Sequence, residues 1–280
     1  MKSKIFLRIL LIFSLISIIV MFNTDLQAEQ EIIVIGWNAE SGDADPDIVA
    51  NRIEEIDGCD IWGICEVLNS SWASKFEDAA EVDENAVFES ILGSTGGGDR
   101  MQIIYDSDRL ELLSDFELHR INVSGTVRSP LTAHFKIKGT NIEFLFMVNH
   151  LYRTKSERRY EQARLLNCWA SKQNLPIIAV GDYNFDWDVD EGDLNHDKGY
   201  DEMIKYGHFN WIQPKKLKKT QANPNFNSVL DFIFLGGNSW TWKAEASILK
   251  RDIYDNQDNH LKDDDQMSDH RPVQATITIE

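Results

Sequence analysis

Cations are scarce in this 280-residue chain: 28 Lys and Arg stand against 46 Asp and Glu, for a formal net charge of −18. Coating nucleic acid over a broad surface needs a positive footprint, so that class is excluded, whereas a confined site that handles phosphate with a metal ion is not. Glycine and proline are also few, 16 and 6, which excludes collagen-like and low-complexity chains. No repeat of roughly 20–50 residues signals a solenoid or propeller. Three cysteines occur, Cys59, Cys65 and Cys168. Cys59 and Cys65 flank a strand-like run, Asp60-Ile61-Trp62-Gly63-Ile64, whose extension sets their sulfurs roughly 20 Å apart, beyond disulfide reach. At most one of them pairs with Cys168, and the odd count argues against a disulfide scaffold. The core must hold the fold, and 42% hydrophobic residues are enough for it.

One long apolar run is present, at the N-terminus. Lys2, Lys4 and Arg8 precede it, it extends from Ile9 to Phe22, and polar residues return before Ala28. A basic region, an apolar region and a small residue at the cut describe a signal peptide, so residues 1–28 are read as signal and 29–280 as the mature domain. An uncleaved anchor is the alternative, because the run approaches bilayer-spanning length. The expectation is a secreted or periplasmic protein with no stable membrane anchoring after cleavage.

Strands and helices alternate after that. Ile32–Ile35 reads as a buried strand. Asp45-Pro46 caps a helix carrying Ile48, Val49, Arg52, Ile53 and Ile56, and Gly58 stops it. The strand from Asp60 to Cys65 delivers Glu66, and a helix follows around Trp72–Ala80. Strands are expected at Val87–Leu92, Met101–Tyr105, Leu112–Leu118, Val127–Ile137 and Ile142–Leu151. A helix over Ser156–Lys172 should bury Tyr160, Ala163, Leu166 and Trp169-Ala170. Pro176–Val180, Val229–Leu235, Trp240–Leu249 and Pro272–Ile279 complete the strands. This inventory suits an α/β fold of two packed sheets flanked by helices, and no linker divides it.

Polar residues cluster at the strand ends: Asn38, Glu66, His150, Asp182 with Asn184, Asp231, and Asp269-His270. Each alone has the ordinary reading of a turn residue. As an ordered set, Trp37-Asn38, Ile64-Cys65-Glu66, Asn149-His150-Leu151, Gly181-Asp182-Tyr183-Asn184, Leu230-Asp231-Phe232-Ile233 and Ser268-Asp269-His270-Arg271-Pro272-Val273 resemble the endonuclease/exonuclease/phosphatase superfamily. That group contains deoxyribonuclease I, abasic-site endonucleases and neutral sphingomyelinases. The resemblance spans residues 32–280 and implies a four-layered α/β sandwich, deoxyribonuclease I-like, of two mixed sheets flanked by helices. It implies a Mg²⁺-dependent phosphodiesterase, with Mn²⁺ as a substitute, in which water attacks phosphorus in line. Glu66 would be the chief metal ligand, with Asn38 and Asp269 completing or orienting the site and Glu40 a weaker candidate. Asp182 would orient or deprotonate the water, Asn184 would hold the phosphate, His270 paired with Asp231 would relay protons, and His150 would face the phosphate from the other side. Arg128 resembles a family arginine beside the scissile phosphate, and a surface arginine on a strand is its other reading. Relatives of the deoxyribonuclease type pair the His150 equivalent with a glutamate from the preceding third of the chain; Glu89 and Asp99 lie in the right region but neither stands in register, a departure from that pattern.

Substrate choice rests on the loops. Asp186-x-Asp188-x-Asp190 opens like a calcium loop, but its glycine, Gly192, comes one place late. A solvated acidic loop is the reading over 186–202 and a structural Ca²⁺ the alternative. Pro214-Lys215-Lys216-Leu217-Lys218-Lys219-Thr220 offers either phosphate contacts or a solubilising loop. Trp240 and Trp242 alternate with polar neighbours, which predicts a half-buried strand rather than membrane-inserting aromatics. The function read first is an exported nuclease with nucleic acid as substrate. The alternatives are a phosphodiesterase acting on a sphingomyelin or phospholipid head group, a phosphomonoesterase using the same metal site, and, more distantly, a non-catalytic binding protein.

Overall fold

The computed structural model describes residues 29–125, 127–221, 225–249 and 267–279; the segment read as a signal peptide lies outside them. In chain order the main elements are β1 (Gln30–Asn38), α1 (Pro46–Glu54), β2 (Ile61–Val67), α2 (Ser70–Glu81), β3 (Phe88–Leu92), β4 (Arg100–Asp106), β5 (Leu110–Glu117), β6 (Leu131–Ile137), β7 (Glu143–His150), α3 (Ser156–Ala170), β8 (Pro176–Asp188), α4 (Lys198–Ile204), β9 (Phe209–Trp211), β10 (Ser228–Gly237), β11 (Lys243–Ile248) and β12 (Val273–Ile279).

They form two six-stranded sheets, ordered β11-β12-β1-β2-β4-β3 and β5-β6-β7-β8-β10-β9. Each sheet has a central parallel pair, β1 with β2 and β7 with β8, and each pair is joined through a helix, α1 or α3. Side chains alternate across a strand, so each central strand feeds two cores. On β1, Ile32 and Val34 enter the layer between the sheets, and Ile35 and Trp37 face the helices. On β8, Ile178 and Val180 point inward while Ile177 and Ala179 point to α3 and α4. The result is the four-layered sandwich expected. Burying each large apolar side chain stabilises it by roughly 1.5–3 kcal/mol.

Local signals set the helix starts. Asp45 accepts from the Asp47 N–H at 2.9 Å, with Pro46 at the first helical position, and Asn69 caps α2 through Ser71 and Trp72. The two sheets pack closely at Gly63, where an added Cβ would lie 2.3 Å from a Val180 methyl carbon.

Several expectations need correction. β8 does not stop at Gly181 but runs on to Asp188. The strand expected from Val127 begins at Leu131, after a short 3-10 turn at His119–Ile121 and a loop. α3 buries Arg159, Gln162 and Asn167 beside Ala163, Leu166 and Ala170, so its inner face is rotated from Tyr160 and Trp169. Trp240 is 86% exposed in a turn before β11, and only Trp242 packs inward, with its ring 6.2 Å from that of Phe144. A turn can carry alternating aromatics as readily as a strand, so the pattern alone misled. Helix α4 lies inside the acidic segment, where charge density had masked its cap, Asp197.

Candidate active site

Parallel central pairs place the carboxyl ends of β1, β2 and β7 at one end of the sandwich, the position where such sheets present functional groups. Asn38 ends β1, Glu66 lies one residue before the end of β2, and His150 ends β7. Asp182 on β8 is register partner to both His150 on β7 and Asp231 on β10. Asp231 follows a register shift in the β10–β8 ladder, and Glu66 lies within another in the β2–β4 ladder. Such irregularities re-aim a side chain. Glu66, Glu40 and Asn184 have φ of 57°, 52° and 53°, a left-handed backbone that costs non-glycine residues about 1–3 kcal/mol and persists where packing enforces it. Gly181 has φ 135°, and an added Cβ there would lie 1.9 Å from the Asn149 carbonyl oxygen, so only glycine lets β8 close on β7 here.

Eight of the ten residues singled out from the sequence meet around one cavity of about 160 Å³: Glu40, Glu66, His150, Asp182, Asn184 and the pair Asp269 and His270 line it, and Asn38 bonds into it. The Asn38 amide donates to Glu66 Oε1 at 3.0 Å and to Asp182 Oδ2 at 3.1 Å, tying one sheet to the other. Asn38 Oδ1 accepts from the Glu40 N–H, and Glu40 in turn accepts from the Asp269 N–H at 2.6 Å. Asp182 Oδ1 is fixed by the Asn184 N–H at 3.0 Å. Its Oδ2 faces His150 Nε2 at 3.3 Å and His270 Nε2 at 3.9 Å. Asp231 is buried behind the cavity, its Oδ2 2.8 Å from His270 Nδ1.

The acid beside His150 is Asp99: its Oδ1 lies 3.3 Å from His150 Nδ1, while its Oδ2 accepts from Arg128 at 2.6 Å. Glu89 instead takes the Tyr105 hydroxyl at 2.6 Å. Arg128 therefore reaches the site through Asp99, and it also contacts the Leu151 carbonyl at 3.5 Å.

Electrostatics follow from burial and from this crowding of carboxylates. Burial penalises the His270 imidazolium, yet the Asp231 charge and hydrogen bond, with Asp182 and Asp269 nearby, outweigh it and push its pKa up to about 10. Burial pushes Asp231 above the ordinary carboxylate range, against the pull of His270. Burial likewise raises the Cys65 thiol, which donates to the Asn149 carbonyl at 3.2 Å. All three cysteines are free.

Hard carboxylate oxygens gather where a divalent cation would sit. Among the described residues, one group of three acidic or imidazole side chains brings ligand atoms within 4.8 Å of one another: Glu66, Asp99 and His150. Glu66 is fixed by Asn38 through one oxygen, and its other oxygen makes no hydrogen bond among the described residues, with the side chain 24% exposed to the cavity. With Glu40 and Asp269 lining the same cavity, the donors fit a hard cation that prefers oxygen. Asn38, with its amide engaged on two carboxylates, orients Glu66.

Arg153 is the one arginine or lysine lining the cavity among the described residues. It escaped notice in the sequence because it lies in a turn between β7 and α3, outside any motif. The nearest signal was its place three residues after His150. None of the lysines at 215–219 lines the cavity; Lys215 pairs with Glu245 on β11 at 2.5 Å. In the acidic segment, Asp197 caps α4 and pairs with Arg159, Asp188 accepts from the Asp190 and Glu191 N–H groups, and Asp190 takes the Asn227 amide. These oxygens shape the loop, and among the described residues no converging group of three forms there.

Carboxylates, imidazoles and amides thus converge at strand ends between two mixed sheets. The chain belongs to the Endonuclease/Exonuclease/phosphatase family, whose model matches residues 35–270. Comparison with curated proteins finds none that matches. Among solved structures, the chain is similar to an endonuclease/exonuclease/phosphatase family protein from Bacteroides thetaiotaomicron at 20% identity and TM-score 0.64, covering 90% of this chain and 96% of that one. It is similar to a mannosyl-6-phosphatase of Bacteroides thetaiotaomicron at 20% identity and TM-score 0.63, covering 89% and 100%. It is also similar to D. rerio TDP2 complexed with single strand DNA product, at 16% identity and TM-score 0.64, covering 89% and 99%. These likenesses show the fold.

Proposed function

We propose that this protein is an exported, divalent-metal-dependent phosphodiesterase that cleaves a nucleic-acid strand by in-line attack of water. One observation carries the hydrolytic reading. The Asp182 carboxylate is held by Asn184 and Asn38 and faces two imidazoles, beside a carboxylate, Glu66, with a free oxygen. Such a carboxylate orients a water and accepts its proton. Glu66, with Glu40 and Asp269, would hold Mg²⁺ or Mn²⁺, which polarises a phosphoryl oxygen and steadies the leaving oxyanion. His270, charged and fixed through Nδ1 by Asp231, presents Nε2 to the cavity and neutralises charge developing on the phosphate. His150, held by Asp99, faces the same oxygen of Asp182 from the other side.

The nucleic-acid reading is supported by a cationic ledge just past His150. Arg153 lines the cavity, Arg128 touches Leu151, and Lys155 and Arg158 lie 5.9 and 5.4 Å from the Tyr152 ring. In a chain of net charge −18 such a ledge is a local exception, and it suits a strand's flanking phosphates. Export is supported by the signal-like residues 1–28. A second reading, hydrolysis of a compact phosphomonoester, is favoured by the small cavity, and a structurally similar protein is a mannosyl-6-phosphatase.

The test is hydrolysis in Mg²⁺, Mn²⁺ and EDTA of single- and double-stranded DNA, RNA, sphingomyelin, bis(p-nitrophenyl) phosphate and p-nitrophenyl phosphate, with Glu66→Ala and His270→Ala as controls. Metal-dependent strand cleavage lost in both variants is expected. Turnover of the monoester alone, or of sphingomyelin alone, would overturn the nuclease reading and keep the site. Activity unchanged in both variants would overturn the site itself.

A further inference from the structure

A hollow larger than the catalytic cavity lies away from it. It measures about 880 Å³ and sits beside the start of β8, the end of β10 and the end of α3. Pro176 and Gly237 are register partners at this end, whereas Asp182 and Asp231 mark the catalytic end of the same strands. At the rise of an extended strand, the two ends are roughly 20 Å apart.

Its lining has an unusual chemistry for this protein. Trp240 is 86% exposed and Tyr206 81%, and both border the hollow with His208 and the half-buried Trp242. Large aromatic rings left in water are costly in an unpartnered surface, and two at one hollow mark a binding surface. The polar members are neutral amides: Gln173, Asn174, Asn210 and Asn238. Among the described residues, the Asn174 and Asn238 side chains make no hydrogen bond, while Gln173 and Asn210 use their NH₂ groups on backbone carbonyls and keep their oxygens available. An amide both donates and accepts, as a sugar hydroxyl does. Among the described residues no Asp, Glu, Lys or Arg lines the hollow, although such residues make up 26% of the chain; the Lys205 ammonium lies 5.6 Å from the centre of the Tyr206 ring.

We propose that this hollow is a binding site for a neutral oligosaccharide, separate from the catalytic cavity. The C–H face of a pyranose stacks on an open aromatic ring, and its hydroxyls match free amides. A nucleic-acid strand would need several cations for its phosphates, and among the described residues none lines the hollow, with the single Lys205 ammonium beside the Tyr206 ring. A membrane-inserting patch would be apolar with basic flanks, whereas this one is rich in amides.

The experiment is calorimetric titration of the full chain with cellohexaose, mannohexaose, maltohexaose and chitohexaose. Single-stranded DNA and phosphatidylcholine vesicles form two further arms. At least one hexasaccharide should bind with Kd at or below about 1 mM. Trp240→Ala and Tyr206→Asn should each weaken it about tenfold or more, the effect of losing an aromatic anchor, while turnover of the small phosphoester stays at the wild-type level. Asn is chosen at Tyr206 because φ there is 63° and Asn tolerates that region. Silence with all four sugars, sugar binding untouched by both variants, or loss of DNA or vesicle binding in place of sugar binding would overturn the proposal.

Discussion

His150 and Asp99 face each other across 3.3 Å, although 51 residues separate them and Asp99 stands on no strand. Asp99 closes a glycine-rich turn, Gly96-Gly97-Gly98, just before β4. Asp99→Asn should cut turnover by about 10–100-fold with little change in KM, the usual scale for losing a group that orients a functional imidazole. The ring nitrogen shifts of His150 should move with it. Glu89→Gln, altering the partner of Tyr105, should leave both unchanged. Equal losses in the two variants would refute the assignment.

Divalent-cation binding should appear as stability as well as turnover. At a hundredfold excess over its Kd, Mg²⁺ should add about 2.7 kcal/mol, a rise of several degrees in Tm. Glu66→Ala should abolish that rise, because the free oxygen that would hold the ion is gone. Identical melting in Mg²⁺ and EDTA would contradict the oxygen-donor reading.

Gly63 is a tight point between the sheets. Gly63→Ala places a methyl group 2.3 Å from a Val180 methyl carbon and 2.9 Å from one of Val148. Overpacking of this kind should destabilise the fold by about 1–3 kcal/mol, measured by urea unfolding. Gly97→Ala is a poor control, because its φ of 66° is strained for alanine. Gly42→Ala, with no neighbour within 4 Å, should cost far less.

Acid should loosen the turn that carries Asp99 before it unfolds the core. Burial alone would raise the Glu117 carboxyl, but hydroxyl and N–H groups of Ser94 and Thr95 outweigh it and lower its pKa from 4.5. Its contribution is therefore present above pH 4.5 and is lost as pH falls through the lowered folded value. Hydrogen-exchange protection at residues 93–99, taken relative to the intrinsic rate at each pH, should fall over that window in the wild type. In Glu117→Gln it should already be low at neutral pH and change little on acidification. A wild-type protection that is flat across the window would contradict the clamp.

Much of this arrangement was written along the chain. Asn38, Glu66, His150 and Asp182 each end or interrupt an apolar run, and an apolar run fixes where a buried strand stops. Asp269-His270 was legible for the same reason, standing just before β12. What could not be read was cross-chain register. Asp99 and Glu89 are equally acidic and ten residues apart, and only the β3–β4 pairing sends Glu89 to Tyr105. Arg153 had no motif around it. The lysines at 215–219 drew notice by density, yet Lys215 is engaged with Glu245. Trp240 and Trp242 share a parity but not a fate, because a turn begins between Gly237 and Lys243 and parity has meaning only within a strand.

The Asn38 amide bridges Glu66 on its own sheet and Asp182 on the other. The reacting constellation is thus a seam between two half-molecules, and neither half carries it alone. A collapsed intermediate with both sheets formed but undocked would give full far-ultraviolet circular dichroism and no turnover. Catalytic assay of this protein is consequently a gauge of how firmly its two halves are closed, and recovery of turnover during refolding dates their docking.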